Sequence, residues 1–228
     1  MTRKKDYWET IARHIARVVD DRKIEDVLHF TRLENLANIL EHGIQSRSEL
    51  RNADYDAYAS DVDRLDEEDN AVSVSITCFY PKMFNAKRFR AGDKHWIILV
   101  LDRSLLWECH CCFYCSGVAT NATKYQRGKP HGGFALEKLF ADHRPSTSPE
   151  GMTFREECGL PSDWPTYPDS EVQVMDAIHP DYIRGAWVET PAHAEFVRAT
   201  FETAGRSECQ VVVQPFTARI SHGPYNWG

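Results

Sequence analysis

Five groups of residues in this 228-residue chain have types and spacings that can do chemistry. His29-Phe30-Thr31 ends a short apolar run that leads directly into a segment with helical spacing. A histidine and a hydroxyl at such a junction stand beside backbone N–H groups that no helical turn satisfies, a setting that suits a ribose hydroxyl or a phosphate. The same pair also fits a buried histidine and a plain capping threonine. Glu171 opens an alternating run just after a proline-rich stretch. A carboxylate there can stabilise a developing positive charge or act as a base. It equally fits a solvated strand end. Arg64 is the one basic residue in 54–69, among eight carboxylates. Its planar fork suits a phosphate, or it is a counter-charge to its neighbours.

The fourth group is Cys109-His110-Cys111-Cys112-Phe113-Tyr114-Cys115, with five soft ligand atoms. Cys112 and Cys115 have zinc-knuckle spacing, but no second CxxC follows at the usual distance, so reduced thiols without metal are expected. The fifth lies in 82–103, where Lys82, Lys87, Arg88, Arg90, Lys94 and Arg103 face only Asp93 and Asp102. Phe84, Phe89 and Trp96 are interleaved with them. Cations that follow phosphates and rings that stack bases suit a single nucleic-acid strand, and a solvated face is the plainer reading.

The elements that must position these groups are legible from periodicity. Trp8, Ile11, Ala12, Ile15, Val18 and Val19 predict a helix over 6–21. Val27 to Phe30 reads as a strand, followed by a helix ending at Gly43, with Thr31 and Glu34 spaced as a capping box. Residues 51–70 have no apolar period and read as a mobile acidic segment. Strands are predicted over 71–76, 96–102, 171–176, 185–189 and 211–213, and helices over 133–142 and 191–204. Residues 109–132 and the proline-rich 144–168 read as irregular. Strands with unevenly placed helices and no repeat predict a single α+β domain over 1–228.

Composition sets the bounds. A 42% apolar and 27% charged chain is ordinary globular protein. No run approaches the roughly 18 apolar residues of a membrane span, and the basic start lacks the apolar stretch of a signal peptide, so a cytoplasmic protein with reduced cysteines is expected. The net charge of −7 argues against coating DNA by bulk positive charge. Resolved along the chain, residues 54–69 alone carry −7, and the remainder is a neutral body. Basic patches lie on it at 82–103 and at Lys124, Arg127 and Lys129.

Five pieces follow one another in order: His29-Phe30-Thr31 with Asn35-Leu36, Ile39-Leu40 and Gly43; Asp61 and Arg64-Leu65-Asp66 followed by Val72 to Ile76; Lys82-Met83-Phe84 with Arg88; Trp96 to Glu108 with Phe113 and Asn121-Ala122; and Glu171-Val172-Gln173-Val174 leading to Tyr182-Ile183. Together they resemble the DarT ADP-ribosyltransferases, a family of nucleic-acid-modifying toxins. They span about 27–183 and resemble most the branch that modifies guanine in single-stranded DNA. Phe79-Tyr80 stand where that branch carries Pro-Asn, and the cysteine run is fuller.

The resemblance implies a split, mixed β-sheet with surrounding helices and NAD in its cleft as co-substrate. It implies Glu171 and Arg64 as catalytic residues, and His29, Thr31, Asn35, Arg64 and Phe84 at NAD. Lys82, Arg88, Phe89 and Arg90 are expected to hold the single strand. It further implies a toxin–antitoxin setting, with an antitoxin that removes ADP-ribose. RNA or protein as acceptor, and a zinc-dependent nucleic-acid-binding module without catalysis, are the competing readings.

Overall fold

Strand alternation separates two apolar layers on the faces of one sheet. In a computed structural model, described for residues 2–58, 70–92, 94–116, 128–146 and 151–216, seven strands form that sheet. They are β1 (Asp26–Arg32), β2 (Val72–Ile76), β3 (Trp96–Asp102), β4 (Cys111–Tyr114), β5 (Glu171–Val174), β6 (Ile183–Val188) and β7 (Gln210–Val213). The order across the sheet is β4-β5-β2-β1-β3-β6-β7. Adjacent strands are antiparallel except β6 and β7, so the sheet is mixed.

One face carries Val27, Val74, Leu99, Leu101, Val172 and Val174 into the larger core. Helices α1 (Thr2–Arg22) and α2 (Leu36–His42) cover it with Ile15, Val18, Val19, Leu36 and Ile39. The other face carries Leu28, Ile98 and Trp187 into a smaller, aromatic core with Phe79, Phe84, Trp96, Trp164 and Phe216. Successive strand residues point to opposite faces, and these apolar patterns follow from that period of two.

The sheet comes apart in its middle. All seven residues of β1 pair with β3, from Asp26↔Asp102 to Arg32↔Trp96. With β2, β1 pairs only at Val27↔Ile76 and Leu28↔Ser75. Beyond Leu28 the two strands diverge, and Val72 to Val74 continue alongside β5 instead. A cleft opens between the end of β1 and the beginning of β2.

Several local expectations are corrected. Thr31 caps no helix: β1 runs through it to Arg32, and a 3-10 turn over Leu33–Asn35 leads into α2 without a side-chain cap. The helix does stop at Gly43, whose φ is 84° and whose added Cβ would stand 2.5 Å from the Ile178 carbonyl oxygen, so glycine is required there. Residues 109–132 are not all irregular, since they contain β4. Residues 81–91 form α4 (Pro81–Ala91), a helix with Pro81 in its first turn and Gly92 just past its end. The proline-rich stretch holds one short helix, Phe154–Glu157. The acidic segment, expected to be mobile throughout, is held in its first part. Asn38 Nδ2 donates to the Asp56 carbonyl at 2.8 Å, and Tyr55 stacks on His42 with ring centroids 4.5 Å apart.

Candidate active site

The cleft between β1 and β2 is where backbone groups lose their ladder partners, and one side chain fills the gap. His29 Nδ1 lies 3.0 Å from the Ser73 carbonyl oxygen, on the side that β1 has left. A carbonyl only accepts, so Nδ1 carries the proton and Nε2 presents its lone pair. Burial pushes the imidazole down to about 4, against the bond to Ser73; the Lys87 ammonium adds to the depression. His29 is therefore neutral at neutral pH.

Ser73 also reaches the other way. Its hydroxyl donates to Glu171 Oε1 at 2.5 Å. In the register of β2 and β5, Ser73 stands opposite Gln173, so Glu171 is its diagonal neighbour on the same face. On the outer side Glu171 pairs with Tyr114 of β4. Three strands thus place an imidazole, a hydroxyl and a carboxylate in one chain of contacts, and residues 29, 73 and 171 are brought together from distant parts of the sequence. Sequence reading singled out His29 and Glu171 and did not single out Ser73. The alternation Val72-Ser73-Val74-Ser75 is the signal that could have marked it as facing the cleft side of the sheet.

Thr31 and Asn35, expected at NAD, stand against each other. Both are buried. Asn35 Nδ2 donates to Thr31 Oγ1 at 3.0 Å and to the Tyr58 carbonyl at 2.9 Å, while Asn35 Oδ1 accepts from the Tyr58 N–H at 2.9 Å. Their polar atoms hold each other and the chain at residue 58. The guanidinium of Arg32 lies over the Tyr58 ring at 5.6 Å and reinforces that hold. Arg64, six residues further on, lies outside the described residues, as do Asn121, Lys124 and Arg127.

Phe84, expected at NAD, is a core residue. It is 1% exposed, with ring centroids 5.0 Å from Phe30 and Phe79 and 5.6 Å from Trp96 and Phe216. The α4 helix turns it inward with Pro81 and turns Lys82, Phe89 and Arg90 outward. Phe89 is 89% exposed. Arg88, expected on the same nucleic-acid surface, is engaged elsewhere. Its two terminal nitrogens grip Glu189 at 3.1 and 2.7 Å. Its guanidinium also lies over Phe84 and Phe216. Near His29 the Lys87 ammonium lies over the Phe30 ring, 5.1 Å from its centroid.

The cysteine run does not converge. Cys111 and Cys112 are consecutive strand residues buried on opposite faces. Burial pushes the Cys111 thiol well above its ordinary value, and its thiol neighbours push it further. Among the described residues no three histidine, cysteine or carboxylate side chains gather as a metal site.

A family model described as "DarT: ssDNA thymidine ADP-ribosyltransferase, DarT" matches residues 28–219. The structure is similar to that of Thermus sp. 2.9 DarT in complex with carba-NAD+, with a TM-score of 0.55 at 13% sequence identity, over 83% of this chain and 95% of that one. The same Thermus protein in complex with ADP-ribosylated ssDNA gives a TM-score of 0.52 at 12% identity, over 84% and 95%. No curated protein sequence matches the chain. At such low identity the structural likeness establishes a shared fold.

Proposed function

We infer the reaction from the premise that the chain belongs to the DarT family of single-stranded-DNA ADP-ribosyltransferases. It is an NAD-dependent ADP-ribosyltransferase. Its acceptor is a base of single-stranded DNA, its product an ADP-ribosylated base, and its leaving group nicotinamide. The observation that carries the assignment of residues is the contact chain His29–Ser73–Glu171 at the parting of β1 and β2.

The bond between nicotinamide and ribose breaks with its electron pair leaving on nicotinamide. The ribose carbon then bears oxocarbenium charge, as in glycoside cleavage. A Glu171 carboxylate fixed by Ser73 stabilises that charge without reorganising. A neutral His29 offers Nε2 as acceptor to a ribose hydroxyl or the nicotinamide amide, and so orients NAD. Arg64, which the family resemblance makes the essential arginine, clamps an NAD phosphate or the ribose side through its planar fork. The acceptor base attacks the ribose carbon and loses a proton, which Glu171 takes. A base inside a duplex is hard to reach, which favours a single strand.

The acceptor we propose is guanine, on the sequence resemblance to that branch; the family description names thymidine. The strand lies along the exposed side of α4, on Lys82, Phe89 and Arg90, where ring stacking and phosphate contacts act together. The setting is that of a toxin restrained by an antitoxin that removes ADP-ribose.

Incubation with labelled NAD and single-stranded oligonucleotides, each carrying one kind of reactive base, tests this. Wild type is expected to label the guanine oligonucleotide, and Glu171→Gln to label none. Label on thymidine alone moves the acceptor to that base. Label on none of the oligonucleotides, or equal labelling by Glu171→Gln, overturns the reaction or the role of Glu171.

A further inference from the structure

At the end of β4 and β5 remote from Glu171 lies a groove of about 450 Å³ that the transferase reading does not use. It forms where α1 meets the turn between α5 (Leu105–Glu108) and β4. Cys111 pairs with Val174 at this end, and Tyr114 pairs with Glu171 at the other, so the ladder separates the two by roughly 10 Å.

Three rings stand at its rim. Trp8 lies 5.7 Å from His110 and 6.2 Å from His131, centroid to centroid, and the two imidazoles are 6.4 Å apart. Trp8 is nearly half exposed, although α1 buries Ile15, Val18 and Val19 two and three turns further on. Three carboxylates, Glu9, Glu108 and Asp176, share the lining, and among the described residues neither lysine nor arginine is part of it. Two of the carboxylates are held by neutral donors. Glu108 Oε2 accepts from the Tyr182 hydroxyl at 2.9 Å, and Asp176 Oδ2 from the His110 N–H at 3.3 Å. Neither bond neutralises its charge. Lys5 approaches Glu9 only at 4.0 Å, with both side chains in water, and Lys129 turns to the Met175 sulfur.

An indole face beside fixed negative charge attracts a cation, and a flat guanidinium gains more from it than an ammonium, because it stacks on the ring while its fork meets a carboxylate. Exposed tryptophan is also the residue type that dominates protein interfaces. The groove's volume accommodates a long side chain and its stem. We propose that this groove docks an arginine of a partner protein, away from the cleft that holds His29 and Glu171. The partner's segment carries net positive charge, complementary to Glu9, Glu108 and Asp176. Docking there leaves the catalytic cleft open. The proposal does not depend on the transferase reading.

The test uses the full chain and a fluorescein-labelled Gly-Arg-Gly-Arg-Gly peptide at low salt, followed by fluorescence anisotropy, with the lysine analogue as comparison. The arginine peptide is expected to bind more tightly than the lysine one. Trp8→Leu keeps apolar bulk and removes the ring, and is expected to weaken binding about fivefold. The Glu9→Gln, Asp176→Asn double variant is expected to weaken it at least as much. Glu202→Gln, an exposed carboxylate on α8 (Pro191–Thr203), is expected to leave binding unchanged. Transfer to single-stranded DNA is expected to be unchanged in all three. Undetectable binding, an unaltered Trp8→Leu, or an equal loss in Glu202→Gln overturns the proposal. So does sedimentation showing a wild-type dimer that Trp8→Leu dissociates, which gives the groove to a second copy of this chain.

Discussion

The hydroxyl of Ser73 holds Glu171 at 2.5 Å, while the carbonyl of the same residue holds His29 at 3.0 Å. One residue of β2 thus fixes both sides of the cleft. Its backbone belongs to the half of the sheet that continues with β5, and its partner His29 belongs to the half that continues with β3. Ser73 joins the two halves where the ladder does not.

Ser73→Ala removes the donor and leaves the carbonyl. Glu171 loses one of the contacts that fix its rotamer, and misplacement of a catalytic group by about 1 Å costs on the order of 10²-fold. We expect kcat for transfer to fall by about that factor, with KM for NAD changed far less, because His29 keeps its bond. Ser73→Thr, which restores a hydroxyl, is expected to recover most of the rate. Steady-state kinetics of nicotinamide release on the three proteins decides it. An unchanged kcat in Ser73→Ala removes Ser73 from a positioning role.

The reach of sequence reading follows from the range of the contacts involved. The strands that carry His29 and Glu171 were legible because apolar alternation and Gly43 are local marks, whereas the roles given to the two residues came from the family resemblance. Ser73 was not legible, because its value lies in a partner 98 residues away. Thr31 and Glu34 misled because complete pairing of β1 with β3 extends the strand through the cap position. β4 was hidden because Cys111 to Tyr114 are buried on both faces and so show no polar alternation. α4 was hidden by its charge, since Lys82, Lys87, Arg88 and Arg90 blur an apolar stripe made of little more than Phe84. Pro81 and Gly92 still bracket it as helix ends do. The burial of Phe84 follows from that missed helix.

Asn35 joins β1 and α2 to the chain at residue 58 through three side-chain hydrogen bonds. Asn35→Ala leaves the Thr31 hydroxyl and both Tyr58 backbone groups without it. Losing such bonds in a buried place costs about 1–3 kcal/mol. Urea denaturation is expected to show a loss in that range. Hydrogen exchange is expected to show faster amide exchange at Tyr58, with protection in β1 retained. Wild-type exchange at Tyr58 in the variant contradicts the clamp.

Arg88 and Phe89 are neighbours with opposite tasks. Arg88 grips Glu189 and ties α4 to the approach to α8. Its pair is part-exposed, so Arg88→Ala is expected to lower stability by no more than about 1 kcal/mol. Phe89→Ala is expected to leave stability unchanged, because the ring touches little protein, and to raise KM for the oligonucleotide. A stacked base contributes about 1–3 kcal/mol, which corresponds to a rise of roughly fivefold or more. Thermal melts and oligonucleotide titrations on both variants separate the two roles. A KM unchanged by Phe89→Ala takes the strand off this side of α4.

His29 makes stability depend on pH with a definite sign. Its folded value of about 4 lies below the ordinary 6.5, so between these values the unfolded chain binds the proton and the folded chain does not. Stability then rises with pH across that interval, because the unfolded state holds more protons. The contribution is complete above about pH 6.5 and is lost as pH falls toward about 4, by which point the loss amounts to at most about 3 kcal/mol. His29→Gln carries no titrating ring and keeps an amide donor for the Ser73 carbonyl. Urea unfolding measured across this interval is expected to show a shallower slope of stability with pH in His29→Gln than in wild type. The wild-type curve falls relative to the variant's toward the acid end, where the unfolded chain gains a proton on the ring that the folded chain does not. Parallel curves place the pH dependence in other groups and return His29 to an ordinary solvated histidine.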